Sequence, residues 1–132
     1  MGTYATDYLA PDLLTGADLA TDATDNGDVV EADWWHDVTF VLDTATVSGT
    51  NTIHIQGCET SDFSTADVVT IATFIVTVND DDLVHELTTF VDSKYVRANV
   101  TIGTGGDLTG TTLKPYQKHY NRTRLNSADV LA

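Results

Sequence analysis

Residues 68–78 have the sequence Val-Val-Thr-Ile-Ala-Thr-Phe-Ile-Val-Thr-Val, the most apolar run in this chain of 132 residues. Most of these residues are β-branched or aromatic, and such side chains suit a pleated, partly buried surface. Alternate residues of a strand share a face, so the run predicts a strand with one face formed by Thr70, Ala72, Phe74, Val76 and Val78. The run therefore favours an all-β fold.

Similar alternating patterns occur on both sides of this run and predict further strands. They cover residues 36–43, 51–57, 83–90 and 94–102, and a shorter strand is expected over 108–113. Segments rich in Gly, Asn, Asp and Ser separate them, as turns require. This spacing predicts an antiparallel β-sandwich of the jelly-roll kind. The expected inter-sheet core comprises Phe40, Leu42, Ile53, Ile55, Phe74, Val76, Val96 and Val100.

The chain divides into three parts by composition. Residues 1–27 are polar and acidic and predict an N-terminal arm, with at most a short strand or helical turn near residues 10–20. Residues 28–113 hold the expected sandwich. Residues 114–132 lack an alternating pattern and predict an extended, basic, tyrosine-bearing tail. On this division, a chain ending at Leu113 should still fold.

The net charge of −14 is distributed unevenly. Residues 1–92 contain 18 acidic and no basic side chains (−18), whereas residues 93–132 contain two acidic and six basic ones (+4), and the two sum to −14. A chain this acidic repels nucleic acid and anionic membranes, so neither is an expected partner. No run is long and apolar enough to span a membrane, and no secretory signal is evident at the start. Cys58 is the single cysteine, which excludes an internal disulfide.

The sequence contains no recognisable catalytic motif. It lacks both a Gly-x-Ser-x-Gly nucleophile elbow and a phosphate-binding glycine loop, so we expect a protein that is not an enzyme and needs no cofactor. The segments 22–28 and 80–82 are rich in Asp, which suits either calcium ligands or turns, and we expect turns. The four histidines are far apart in sequence, so we expect ordinary sheet-surface side chains and no metal site. They are His36, His54, His85 and His119.

The adjacent pair Trp34 and Trp35 is a rarer feature. Neighbouring residues of a strand point to opposite faces, so one ring should be buried and the other should be exposed or at an interface. Three interpretations remain open. The pair can pack at the entrance to a strand, contact a protein partner, or provide a platform for a sugar ring.

The C-terminal part is the second unusual feature, because cations and tyrosines alternate within twelve residues. Tyr and Arg are frequent anchors of protein interfaces, although a solvated tail has the same composition. Stacking on single-stranded nucleic acid is disfavoured by the acidic remainder of the chain. The candidate interface residues are Trp34, Trp35, Lys114, Tyr116, Lys118, Tyr120, Arg122 and Arg124.

The order of motifs from Val38 to Gly110 resembles that of small jelly-roll decoration or cement proteins of tailed-bacteriophage heads. An Ile-His-Ile-Gln strand over 53–56 leads to Glu-Thr-Ser-Asp-Phe-Ser-Thr over 59–65, in the manner of their Gln-x-Ser-x-Asp-x-x-Phe-like region. An apolar strand and an acidic turn follow. The segment Lys-Tyr-Val-Arg-Ala-Asn-Val-Thr over 94–101 then supplies the aromatic-Val-Arg strand before a Gly-rich hairpin.

The resemblance implies a virion structural protein, made in the host cytoplasm, that binds the outer capsid surface and clamps neighbouring capsomers. Its expected partners are the major capsid protein and further copies of itself, as a dimer or trimer. The alternative is a carbohydrate-binding β-sandwich of a phage fibre or surface protein, which would use Trp34, Trp35 or Tyr116 as stacking platforms.

Overall fold

The computed structural model describes residues 5–8, 12–19, 24–33, 35–64 and 67–119, and only the backbone at 5–8, 15–19, 118 and 119. These residues form eleven strands and one short 3-10 helix, Val78–Asp80. The strands are β1 (Ala5–Tyr8), β2 (Leu14–Leu19), β3 (Thr24–Asn26), β4 (Val30–Glu31), β5 (Asp37–Asp43), β6 (Thr46–Ser48), β7 (Thr50–Cys58), β8 (Val69–Thr77), β9 (Val84–Phe90), β10 (Tyr95–Ile102) and β11 (Asp107–His119). No helix in this part of the chain is long and apolar enough to cross a membrane.

The strands pair antiparallel in two sheets. Sheet I has the order β1-β11-β5-β9, and β2 and β6 also pair with β11. Sheet II has the order β3-β10-β7-β8, and β4 also pairs with β10. The two sheets pack face to face, which confirms the predicted antiparallel β-sandwich.

The inward residues of both sheets form one core. All eight predicted core residues are buried, from 0% exposure for Phe40 to 9% for Phe74. All five longer predicted strands, over 36–43, 51–57, 68–78, 83–90 and 94–102, agree with β5, β7, β8, β9 and β10 to within one residue at each end. The alternation of apolar and polar residues thus determines which face of each strand is buried.

Strand β8 departs from the predicted alternation at both ends. Ile55 pairs with Ala72 but Gln56 pairs with Thr70, so Ile71 is an extra residue in a β-bulge. The bulge turns Ile71 towards the core and leaves Thr70 exposed. At the other end Val78 enters the 3-10 helix and is 59% exposed. The prediction that Thr70 and Val78 share one face with Ala72, Phe74 and Val76 is therefore wrong, because a bulge interrupts β8 and the strand ends at Thr77.

The N-terminal segment is also more ordered than a polar arm. β1 and β2 pair with β11, and β3 and β4 pair with β10, so these four short strands of the N-terminal segment supply edges to both sheets. Leu13 and Leu14 are buried, and the amide of Leu13 donates to the carbonyl of Leu113 at 2.9 Å. The boundary expected after residue 27 is wrong, and within the turn expected over residues 22–28 the structure has strand β3, Thr24–Asn26.

The boundary expected after Leu113 is wrong as well, because β11 continues to His119. Residues 112–117 pair with β5, so this segment is part of the central strand of sheet I and not a tail. Pro115 is buried opposite Phe40. The backbone N–H groups of a strand point alternately to its two sides, and on the side where Pro115 lacks its N–H, β11 pairs with β2 up to Leu113 and with β1 from Tyr116. Pro115 lies between these two partners. Proline is tolerated in a sheet where no ladder bond is required of it.

Candidate interaction surface

The outer face of sheet I carries two of the predicted interface residues. Lys114 and Tyr116 point outward from β11 and are half-buried there. In the first row across the sheet, Lys114 of β11 pairs with Val41 of β5, and Val41 pairs with Glu86 of β9. In the second row, Tyr116 pairs with Thr39, and Thr39 pairs with Thr88. Two rows of outward side chains therefore run across three strands. The hydroxyls of Thr39 and Thr88 lie 2.8 Å apart and join β5 to β9 in the second row.

Trp35 lies at one end of the same sheet but is only 4% exposed and belongs to the core. The next residue, His36, connects this end to two strands. Its ring meets the ring of Phe90 edge-on, with 5.2 Å between centroids, and its amide donates to Gln117 Oε1 at 3.2 Å. The segment before β5 and the C-terminal half of β11 are therefore neighbours, although 81 residues separate His36 from Gln117.

A cleft of about 270 Å³ opens beside Trp35. Its lining includes the exposed ring of Phe90, the carboxylates of Glu59 and Asp92, and Lys94. The amide of Lys94 donates to Glu59 Oε2 at 3.3 Å, which joins the two sides of the cleft. The cleft is thus a polar depression with aromatic side chains in its wall.

Sheet II carries a cluster that the sequence interpretation did not single out. Arg97 of β10 donates from Nε to Gln56 Oε1 of β7 at 3.0 Å, and its guanidinium lies 4.3 Å from the centre of the Phe63 ring. Phe63 is 7% exposed and has a φ of 51°, in the left-handed region that is costly for a bulky residue. Burial of the ring beneath a cation offsets that cost. The cluster fastens the loop over residues 59–64 to the sheet.

Hydrogen bonds within this loop shape its charge. The amide of Ser64 and the hydroxyl of Thr60 donate to Asp62 Oδ1 at 3.2 and 3.0 Å. Hydrogen bonds from Ser64, and then from Thr60, lower the pKa of Asp62 below its ordinary value because they stabilise the carboxylate. Asp62 therefore stays ionised at the rim of the loop.

The acidic turn between β8 and β9 uses its carboxylates to hold the backbone. Asp80 Oδ2 accepts from the amide of Thr77 at 2.7 Å, and Asp81 Oδ1 accepts from the amide of Val47 at 2.6 Å. His85 Nε2 lies 3.3 Å from Asp80 Oδ1. Across the described ranges, no group of three or more His, Cys, Asp or Glu side chains is placed to hold a metal ion. These contacts explain the acidic residues as parts of a turn.

The remaining predicted interface residues lie partly outside the described ranges. Trp34, Tyr120, Arg122 and Arg124 fall on residues that the structure does not describe. Lys118 is placed by its backbone alone, paired with Thr6 of β1. The structure thus places Lys114 and Tyr116 on the outer face of sheet I and buries Trp35 in the core beside the start of β5.

No protein-family model matches the chain, and no curated protein matches it. One solved structure with a detectable likeness is described as "Structure of infectious bursal disease virus Gt strain". The likeness covers 93% of this chain and 43% of that chain, at 11% identity and a TM-score of 0.21. The chain therefore spans less than half the length of that viral chain, and a likeness at this level carries no argument about family or function.

Proposed function

We propose that the protein is a virion structural protein that decorates the outer surface of a bacteriophage capsid and cements neighbouring capsomers. It is made in the host cytoplasm and acts through contacts alone, without catalysis or a cofactor. The observation that carries the proposal is the meeting of Gln56, Phe63 and Arg97, which belong to the two motifs on which the resemblance to decoration proteins rests. Gln56 and Arg97 lie 41 positions apart in sequence, so their hydrogen bond brings the two motifs together in the fold.

The surface that we assign to the capsid is the outer face of sheet I around Lys114 and Tyr116. Tyrosine is a frequent anchor of interfaces because its rigid ring offers a large contact area and its hydroxyl remains hydrogen-bonded. A lysine at the rim contributes mainly to the association rate and the salt dependence. The assigned partner is the major capsid protein, contacted across the junction between two of its copies.

The clamp stabilises the shell by mass action. A ligand that binds the assembled shell but not its dissociated subunits shifts the equilibrium towards assembly. Many copies, each contributing modestly, would raise the resistance of a filled capsid to internal pressure. A rigid sandwich suits this role because little conformational entropy is lost when it docks.

The test is binding to purified capsids that lack the protein. We expect saturable binding and a higher temperature of shell disassembly in the presence of the protein. Tyr116→Ala should weaken binding by about tenfold or more, as truncation of an anchor does, and Lys114→Ala should weaken it less. Thr101→Ala, on the exposed face of sheet II, is the matched control and should bind as the unmodified protein does. Absence of binding to shells would contradict the proposal.

The second candidate is a carbohydrate-binding module. The observation that favours it is the cleft beside Trp35, which combines carboxylates with the exposed Phe90 ring, as sugar sites do. The burial of Trp35 removes one of the platforms expected from the sequence. Binding on a glycan array, lost in Phe90→Ala, together with no binding to capsids, would select this candidate over the first.

A further inference from the structure

The outer edge of β9 offers a complete set of strand-pairing groups. Within the described residues β9 pairs only with β5 and is the last strand of sheet I. The carbonyl of Leu83 accepts from Thr44 and the amide of Val91 donates to His36, both on the β5 side. Amides alternate along a strand, so the odd-numbered residues of β9 face β5. The N–H and C=O groups of Val84, Glu86, Thr88 and Phe90 therefore face away from the sheet.

Apart from the charge of Glu86, this edge lacks the devices that prevent edge-to-edge pairing. Protected edges usually carry Pro, Lys, a bulge or a very short strand. β9 has seven residues without Pro or Lys, and its pairing with β5 runs in one unbroken register. Val84 and Phe90 are 58% and 53% exposed, and the inward residues His85, Leu87 and Thr89 are only half-buried. An added strand would cover both sets of side chains.

We propose that a second copy of this chain pairs with β9, antiparallel, about a twofold axis at Leu87. In this register Val84 faces Phe90 of the other copy, Glu86 faces Thr88, and Leu87 faces its own counterpart. Every outward-facing amide and carbonyl then lies in a hydrogen-bonded pair. The two copies of sheet I join into one continuous sheet, and this proposal does not depend on the proposed capsid role.

The neighbouring registers of two paired β9 strands are less favourable than the proposed one. This preference favours a second copy of the chain as the added strand. Only shifts of two residues keep the outward-facing amides opposed, because odd-numbered residues point to β5. A shift in one direction puts Glu86 opposite Glu86, which is a destabilising like-charge pair. A shift in the other puts Glu86 opposite Phe90 and leaves Val84 without a partner. The proposed register is the one in which apolar residues meet and the glutamates avoid each other.

The acids of β5 that flank β9 oppose this pairing little at physiological salt. Asp37 lies beside Phe90 and Asp43 beside Val84, so in the dimer an acid flanks each end of a Val–Phe pair. These two acids lie three strand spacings apart, about 14 Å at about 4.8 Å per strand. The Debye length at physiological salt is about 8 Å, so their repulsion is largely screened.

The test is a charge swap at Thr88 in the full chain, read by sedimentation equilibrium. Thr88→Lys places an ammonium opposite Glu86 of the other copy and should tighten the dimer about tenfold, whereas Thr88→Glu should weaken it about tenfold. Both variants lose the same hydroxyl contact with Thr39. The same swap at Thr101, exposed on β10, controls for net charge and should change the dimer constant little.

Amide hydrogen exchange followed by NMR tests the same edge without any substitution. The amides of Val84, Glu86, Thr88 and Phe90 should gain protection as the protein concentration rises, while the alternate amides are protected at all concentrations. A monomer at every concentration, or a Thr88 swap that changes association no more than the Thr101 swap, would overturn the proposal. Concentration-independent protection would overturn it too, because it would assign the edge to an intramolecular strand.

Discussion

Strands β8 and β9 are consecutive in the chain, and each is the last strand of its sheet, but they are built differently. β8 carries a bulge at Ile71 and buries Phe74 and Val76. β9 is regular and has no fully buried residue. A bulge protects an edge and lets the strand curve over the core, whereas a flat, half-buried strand remains available for pairing. This difference supports the proposed pairing of β9, rather than β8, with a second copy of the chain.

The largest expected effect comes from removing the strand pairing that supports β9 within sheet I. β9 pairs with β5, and β5 pairs with residues 112–117 of β11. A chain ending at Leu113 loses most of that pairing and the buried Pro115, so we expect no cooperative thermal unfolding transition by circular dichroism. A chain ending at His119 keeps all of β11 and should unfold cooperatively. Cooperative unfolding of the shorter chain would show that sheet I does not depend on this strand.

The second-largest effect distinguishes the two edge strands by how much each contributes to the free energy of unfolding through core packing. Phe74→Ala in β8 removes a buried ring and should lower the free energy of unfolding by about 3–5 kcal/mol. Leu87→Ala in β9 removes a half-buried side chain and should cost about 1–2 kcal/mol, below the range for buried leucines. Urea unfolding at low protein concentration measures both in the monomer. Equal costs would contradict the difference between the edges.

A smaller effect separates the edges by association. Val69 and Val84 are both exposed, at 52% and 58%, one on each edge strand. Replacement of either by the isosteric Thr should change monomer stability by less than about 0.5 kcal/mol, as surface substitutions usually do. Val84→Thr alone should weaken the dimer, by about tenfold, because it reduces apolar burial at two sites. Equal effects of the two substitutions on sedimentation would remove β9 as the interface.

The smallest effect concerns the loop that leads into β8. The pKa of Asp62 is lowered by hydrogen bonds from Ser64 and Thr60, so its ionised form is the stabilising one. Its contribution to stability is present above the ordinary aspartate pKa and is lost as pH falls through the lowered value. An NMR titration of the carboxyl group should show the lowered pKa, and Thr60→Ala should raise it towards the ordinary value. An unchanged pKa in that variant would remove Thr60 as a cause.

The alternation of apolar residues was sufficient to predict the sandwich, its eight core residues and most strands, because each strand buries one face. It predicted the first half of β11, as a strand over 108–113, but missed the second half. There Pro115 occupies an inward position and conceals the alternation between inward Leu113 and outward Lys114 and Tyr116. For β2 the alternation left a short strand or a helical turn near residues 10–20 as alternatives, and the strand is present. It failed for β1, β3 and β4, which are short and gain their stability from pairing with longer strands. The β-propensity of the residues is a weak predictor of strands in such short segments.

The candidate site was less predictable than the fold. The unusual composition of the C-terminal part pointed to Lys114 and Tyr116, but not to their place in a central strand. The contacts of Arg97 with Gln56 and Phe63 join residues that lie 41 and 34 positions apart in sequence. The alternation along each strand carried no sign of them. The order of motifs in the resemblance was the indication in the sequence, since it included all three residue types.

The central claim, a decoration role, is tested most directly by the composition of intact virions. Quantitative mass spectrometry of gradient-purified particles measures the ratio of this protein to the major capsid protein. We expect a fixed ratio that is the same across preparations and that falls when the outer surface is treated with protease, while the packaged DNA stays intact. Absence of the protein from purified particles, or a ratio that varies between preparations, would contradict the account.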